Sequence, residues 1–423
     1  MRATAVVSGL WVLVLAASCG PDRPRPSAES ARVRTGAQVL VDGGYTPLRG
    51  KRVGLIANRT TVVGARHLAD LLHEADGVEL LRLFAPEHGI RGDADAGAVV
   101  ATETDPATGL VVHSLHGDTL QPTPLMLADL DVLVFDLQDV GTRFYTYLST
   151  MGLAMQAAAQ AGITFMVLDR PNPLGGNLVE GFTLEMENRS FIGMYPIPAT
   201  HGMTVGEVAR MLKGEGMLDG LDSLELVVVP MEGWRRDTRW PETGLTWIPP
   251  SPNIPDFETA VIYPGACFFG SVEGNEGRGT EHPFIQVGTV WGDGPALAAE
   301  LNARGLPGLR FEPVTYVPRS IPGMSTSPRL QDRAVHGIRH VVTDAGAVRP
   351  VEAGVHVLHA FWHQAPDSLK ATFFVERPFR NVTGTSRLHR MIVEGHGAAE
   401  IVAAWQPDVT AFLALRKAYL LYE

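Results

Sequence analysis

Cysteine is nearly absent from this chain: Cys19 and Cys267 are the two thiols in 423 residues. Cys19 lies in a leader-like N-terminal stretch, so the body holds one thiol and no internal disulfide can brace it. Stability must come from a packed core. Cys267 sits in Gly265-Ala266-Cys267-Phe268-Phe269, a setting for a small buried hydrophobe rather than a nucleophile. Beyond the N-terminus no run is long and apolar enough to span a bilayer. Excess positive charge is also missing. The formal net charge of -11 argues against a nucleic-acid or anionic-membrane binder held by general electrostatics. Several catalytic signatures are absent. No GxGxxG follows an expected strand and there is no GxxxxGK[ST], so nicotinamide, flavin and phosphate-loop nucleotide sites are not expected. No GxSxG elbow occurs, which weakens a serine hydrolase. There is no HExxH and no paired cysteine set, and His88, His116 and His201 are scattered, so neither a metal nor a cofactor is expected.

What is present begins with a targeting segment. Arg2 precedes an apolar run from Ala3 to Ala17, and Leu15-Ala16-Ala17-Ser18-Cys19 is similar to a bacterial lipoprotein signal. Residues 1–19 are read as that signal, with a lipid on Cys19 as the one membrane attachment. The expected location is the cell envelope after export. Residues 20–37, rich in Pro, Arg and Ser, read as a tether.

A length of 423 residues calls for two domains. Arg52–Ala57, Val78–Phe84, Leu110–Leu115, Asp131–Asp136, Ile163–Leu168 and Leu224–Val229 read as strands. His67–Glu74, Thr146–Ala161 and Gly206–Leu212 read as helices, the second ending at Gly162. That alternation predicts an α/β, Rossmann-like, mostly parallel sheet over residues 38–233. Residues 234–256 form a Trp- and Pro-rich crossover, expected to carry Trp234, Trp240 and Trp247 to a cleft. Residues 257–423 read as a smaller α+β domain with strands at Gln286–Trp291 and Thr372–Val375 and a glycine-laced polar loop from Gly270 to Phe284.

Right-handed crossovers put the loops after the parallel strands on one edge, where ligands of such sheets bind. Those loops begin at Asn58, Pro86, Asp136 and Asp169. The second of them breaks an apolar strand with Pro86 and follows it with Glu87, His88 and Arg91, while Asp93 and Asp95 read as surface charge. Carboxylates in converging loops suit glycoside hydrolysis, which needs an acid at the leaving oxygen and a second group for water or the cationic centre. Glu87 is the candidate acid. Arg59, Arg91, Arg143 and Arg278 could clamp an anionic substituent. Tyr145, Tyr147 and the crossover tryptophans could stack on a sugar ring. Together these favour a cleft for an acidic carbohydrate.

Five stretches, in order, carry a family resemblance. They are Phe84-Ala85-Pro86-Glu87-His88-Gly89-Ile90-Arg91-Gly92, the segment from Phe135 to Tyr147 (FDLQDVGTRFYTY), and Leu168-Asp169-Arg170-Pro171-Asn172-Pro173. Ser251-Pro252-Asn253-Ile254-Pro255 and Glu276-Gly277-Arg278-Gly279-Thr280 complete the set. From about Lys51 onward the chain resembles the exo-β-N-acetylmuramidase (NamZ-type) family, formerly a domain-of-unknown-function family. The resemblance implies a cleft between a Rossmann-like domain and a smaller one. It also implies release of N-acetylmuramic acid from the non-reducing ends of peptidoglycan fragments, with no metal or nucleotide. It puts Glu87 and His88 in the chemistry, with Asp136, Asp139, Glu276 or the substrate's acetamido group open as the second catalytic element. Asn58, Arg59, Arg91, Arg143, Tyr145, Tyr147, Asn172, His201, Asn253, Glu276 and Arg278 are the expected substrate contacts. The alternative reading is a non-catalytic lipoprotein that binds muropeptides. An esterase or amidase lacks a nucleophile motif.

Overall fold

The structure is a computed structural model that describes Met1, residues 32–87, 89–91 and 103–423. His88, Asp93, Asp95 and Cys19 with its leader lie outside the described residues. The compact body runs from Arg32 to Glu423. It therefore starts inside the stretch read as tether. Thr35 caps a helix over Gly36–Asp42, Val33 is buried, and Arg34 is ion-paired with Glu232.

Among the described residues twelve strands follow in chain order. β1 (Arg52–Ala57) leads into a small hairpin, β2 (Val62–Val63) and β3 (Arg66–His67). Then come β4 (Glu79–Ala85), β5 (Glu103–Thr104), β6 (Val111–Ser114), β7 (Val132–Asp136), β8 (Thr164–Leu168) and β9 (Leu226–Val229). The second domain contributes β10 (Gln286–Thr289), β11 (Leu309–Tyr316) and β12 (Val335–Val342). Seven strands make one sheet in the order β5-β6-β4-β1-β7-β8-β9. Every pairing in it is parallel except β5 with β6 at the edge.

The sheet is parallel because its strands are apolar on both faces, as a sheet covered on both sides requires. Alternate residues serve two cores. Val53, Leu55, Leu83, Val132 and Val134 face one that includes Leu68 and Leu72 of the helix Leu68–Glu74. Ile56, Phe84, Leu133, Phe135 and Phe165 face another, which takes in the helices Tyr147–Ala161 and Val205–Gly214 and continues into the second domain as far as Phe361 and Phe373. A single continuous core thus joins the two domains. From β1 the chain first builds outward to β4 and β6, then returns to add β7 on the other side. The switch point lies between β1 and β7, where open α/β sheets leave a crevice.

The second domain is a three-stranded antiparallel sheet, β10-β12-β11, packed with helices that include Gly294–Ala303 and Pro350–Gln364. β11 tolerates Pro313 because it is an edge strand. The strand expected at Thr372–Val375 does not form. Phe373 and Phe374 are buried there by aromatic packing, and one bridge joins Phe374 to Val272.

At the carboxyl end of β7 the Asp136 carboxylate is fully buried and held by Arg170, with Nε at 2.5 Å and Nη2 at 2.8 Å. Replacing Asp136 with Ala would leave the Arg170 guanidinium buried and unpaired. That change is expected to cost about 3–5 kcal/mol of unfolding free energy, read as a drop in the urea midpoint with the slope unchanged.

Candidate active site

The site starts where β4 stops. Its last residue, Ala85, still pairs with Ser114 of β6, but Pro86 has no N–H for the ladder and turns the chain out of the sheet. Glu87 therefore emerges at the sheet edge, half-buried, and the hydroxyl of Thr146 donates to its Oε2 at 3.2 Å. Thr146 belongs to the loop after β7, immediately before the helix Tyr147–Ala161. Beside it the Tyr147 hydroxyl accepts from Asn58 Nδ2 at 2.8 Å and donates to the carbonyl of Pro250 at 2.7 Å. Burial pushes the Tyr147 phenol well above its usual range. Loops after β1, β4 and β7 and the crossover segment thus meet around Glu87.

The second domain supplies the opposite wall. The helix Phe257–Ala266, capped by Asp256, presents Tyr263, and Cys267 follows it. The loop from Asn275 to Phe284 brings in Arg278, whose Nη1 lies 3.0 Å from Glu276 Oε1 and whose guanidinium carbon lies 5.0 Å from the centre of the Phe284 ring. Phe284 itself has φ of +63°, a left-handed conformation that costs a bulky residue on the order of 1–2 kcal/mol. It is held there by its N–H to the Glu276 carbonyl at 2.6 Å and by edge-on packing against Tyr263. Asn381 and Val382 of the helix Glu376–Thr383 complete the wall. The cavity so enclosed measures about 340 Å³. It is lined by aromatic side chains with a few polar groups, the usual make-up of a small-molecule site.

Of the expected site residues, Glu87, Tyr145, Tyr147, Asn253 and Arg278 line this cavity. Asn58 stands behind it and orients Tyr147. Several others are occupied elsewhere. Asp136 is neutralised by Arg170. Asp139 is 5 % exposed and accepts from the Gly141 N–H at 2.6 Å. Burial pushes its carboxyl up to about 7 against the pull of the Gly141, Val140 and Thr142 amides. Arg91, expected on the substrate, lies between Asp70 and Asp105, both at hydrogen-bonding distance. Arg143, another expected clamp, is buried and donates to the carbonyls of Phe182, Ile197 and Val382. Asn172 fixes a turn through Leu174 N–H and the Met203 carbonyl. His201 is buried and accepts from Met203 N–H, and burial pushes its imidazole down to about 3, so it stays neutral. Arg59 is half-exposed and does not line the cavity. Glu276 is 3 % exposed and reaches the site only through Arg278.

The tryptophans also differ from expectation. Trp234 packs on Tyr422, and Trp240 and Trp247 pack on each other. None of the three lines the cavity that contains Glu87. Trp240 borders a separate one of about 270 Å³ with Gln138 and Arg170. The crossover reaches the site through Ser251, Asn253 and Ile254 instead. Sequence reasoning missed Thr146, Tyr263, Phe284 and Asn381. The first was visible as the residue that opens a helix at the end of β7, whereas the others carried no local signal. Cys267 is partly buried, packing against the apolar core while forming part of the wall, and burial pushes its thiol up to about 11, which keeps it protonated. Among the described residues no cluster of His, Cys, Asp or Glu could hold a metal ion.

The fold and site define a two-domain α/β protein with a carboxylate- and arginine-bearing cleft at the carboxyl edge of a doubly wound sheet. Comparison with known proteins gives this a family. Residues 53–258 match the N-terminal domain of the exo-β-N-acetylmuramidase NamZ, and residues 261–422 match its C-terminal domain. The chain is 39% identical to the peptidoglycan β-N-acetylmuramidase NamZ of Bacillus subtilis (strain 168), over the full length of both. Two crystal structures of DUF1343 family proteins from Bacteroides fragilis NCTC 9343 are similar. One has a TM-score of 0.84 at 38% identity and covers 93% of this chain and 99% of its own. The other has a TM-score of 0.75 at 31% identity, with 92% and 99% covered. The chain belongs to the NamZ exo-β-N-acetylmuramidase family, a family of glycosidase type.

Asp139 makes the site's scaffold sensitive to pH. Its folded pKa is raised to about 7, above an unfolded value of about 3.9, so the stabilisation from its buried neutral form is complete below about pH 4. It is lost as the pH rises toward 7, at up to about 1.4 kcal/mol per pH unit. Asp169, raised to about 6 by burial, acts in the same direction. Unfolding free energies of wild type and Asp139→Asn between pH 4 and 8 are expected to diverge in favour of the variant as the pH rises. Parallel curves would contradict this.

Proposed function

We propose that this protein is an exo-acting glycoside hydrolase that releases N-acetylmuramic acid from the non-reducing ends of peptidoglycan fragments, with Glu87 as the general acid. The observation that carries the reading is the placement of Glu87. It stands at the end of a buried strand, in the wall of an interdomain cavity, oriented by Thr146 and faced by an arginine from the second domain. The activity named for the Bacillus subtilis relative supports it.

In this reading Glu87 donates its proton to the glycosidic oxygen as the bond from that oxygen to C1 breaks. The second element is the substrate's own 2-acetamido group. Its carbonyl oxygen bonds to C1 from the opposite face and forms a cyclic oxazolinium ion. Water then attacks C1, the ring reopens, and Glu87 takes back a proton from that water. The net result is retention of configuration. What favours the acetamido group is the fate of the protein's own candidates. Asp136 is locked to Arg170, Asp139 to backbone amides, and Glu276 to Arg278. Among the described residues that line the cavity, Glu87 is the one carboxylate.

Turnover of an aryl β-N-acetylmuramide whose leaving phenol is weakly acidic, by wild type and Glu87→Gln, tests the assignment. The variant should lose about 10²- to 10⁴-fold in kcat, and full activity would refute Glu87 as the acid. Absence of release by wild type, with tight binding of the sugar, would select the non-catalytic binding protein instead. The anomer first released, followed by NMR, should be β. An α product would rule out participation by the acetamido group.

A further inference from the structure

The acid step leaves one charged group of the cleft without a role. Of the four arginines that could meet an anionic substituent, Arg91 is taken up by Asp70 and Asp105 and Arg143 by three carbonyls, and Arg59 is not in the wall. Arg278 is in the wall, and 38% of its side chain remains accessible. We propose that Arg278 is the specificity-determining residue of the cleft, its guanidinium binding the lactyl carboxylate that distinguishes N-acetylmuramic acid from neutral N-acetylglucosamine. This rests on the reaction proposed above and adds to it the group that selects the sugar.

Three features suit Arg278 to that task. Its side chain is fixed before any ligand arrives, by Glu276 Oε1 on Nη1 and by the Phe284 ring beneath. Its backbone is fixed too. Asn275 accepts from the Gly277 N–H at 2.7 Å and donates to the Arg278 carbonyl at 3.2 Å, and Tyr316 Oη donates to the Asn275 carbonyl at 2.9 Å. Gly277 and Gly279 flank it with φ of +80° and +81°, and a Cβ on either would lie 2.4 Å from the His282 carbonyl oxygen or 2.6 Å from that of Arg319. A loop so constrained gives little room for Arg278 to swing away, so binding loses little freedom. Finally, Glu276 occupies one Nη1 contact, while no described residue accepts from Nη2. The planar guanidinium can meet a carboxylate through paired N–H bonds, a geometry that a hydroxyl does not match. Because Glu276 offsets its charge, selection depends on these directed bonds more than on attraction at a distance. Glu276 is a positioning residue in this arrangement.

The test compares kcat/KM for an aryl β-N-acetylmuramide, its lactyl methyl ester and the corresponding β-N-acetylglucosaminide, using wild type, Arg278→Lys and Arg278→Met. Wild type should prefer the free acid to the ester by about 10- to 100-fold, the range of a hydrogen bond to a charged group. Arg278→Met should lose that factor on the acid alone and treat acid and ester alike, with Arg278→Lys between the two. Arg278→Met retaining the preference would overturn the assignment. So would a wild type that handles the ester as well as the acid, a result that needs no variant to fold. Calorimetry with free N-acetylmuramic acid and N-acetylglucosamine reads the same preference without turnover. An inactive wild type that still selects the acid, through Arg278, would refute the hydrolysis and leave this assignment standing.

Discussion

A buried guanidinium sets the shape of this protein. Arg143 leaves the loop after β7, runs through the interior, and donates to the carbonyls of Phe182 and Ile197 in its own domain and of Val382 in the other. Burial alone disfavours its charge and pushes the group down to about 9, still cationic at neutral pH. Three carbonyl oxygens compensate for the water it has lost. The strap ties the sheet edge to the helix Glu376–Thr383, whose Val382 and Asn381 form part of the cleft wall. Around it the domains share one apolar core. The cleft is therefore a fixed seam between two packed bodies, with its polar groups held in place from both sides.

Charged groups at this seam divide into two populations by the same physics. Those far from solvent have dedicated partners: Asp136 with Arg170, Glu207 with Arg236, and Asp169 with Thr204, Tyr422 and the Gly206 amide. A buried charge without such partners would be too costly to keep. They brace the carboxyl ends of β7 and β8 and the start of the helix Val205–Gly214. Glu87 and Arg278 differ because each is partly accessible and each faces the cavity. Residues of the DRPNP turn, which look functional as a string, belong to the bracing set.

That division explains what the sequence could and could not show. The parallel sheet was legible because β1, β4, β7 and β8 are short apolar runs broken by glycine, proline or polar clusters, and two buried faces allow little else. β11 and β12 were not, since Pro313, Gly337 and interspersed charge blur their alternation. Thr372–Val375 has the composition of a strand, but Phe373 and Phe374 are held by other aromatics. Glu87 could be placed at the sheet edge because Pro86 marks where β4 must end. The fate of the arginines could not be read in advance. Arg91 meets Asp105, 14 residues away, and Arg143 meets a carbonyl 239 residues away. Such pairings exist only once the fold has formed.

The central claim is that Glu87 delivers the proton that the leaving group needs, and leaving-group dependence tests it most directly. Kinetics of Glu87→Ala should be measured on two aryl β-N-acetylmuramides, one with a strongly acidic phenol that departs unaided and one with a weakly acidic phenol. The account predicts near wild-type bond cleavage for the first and a loss of at least about 10²-fold for the second. Equal losses on both substrates would contradict it, because a group that acts only on binding or on folding cannot tell the two leaving groups apart.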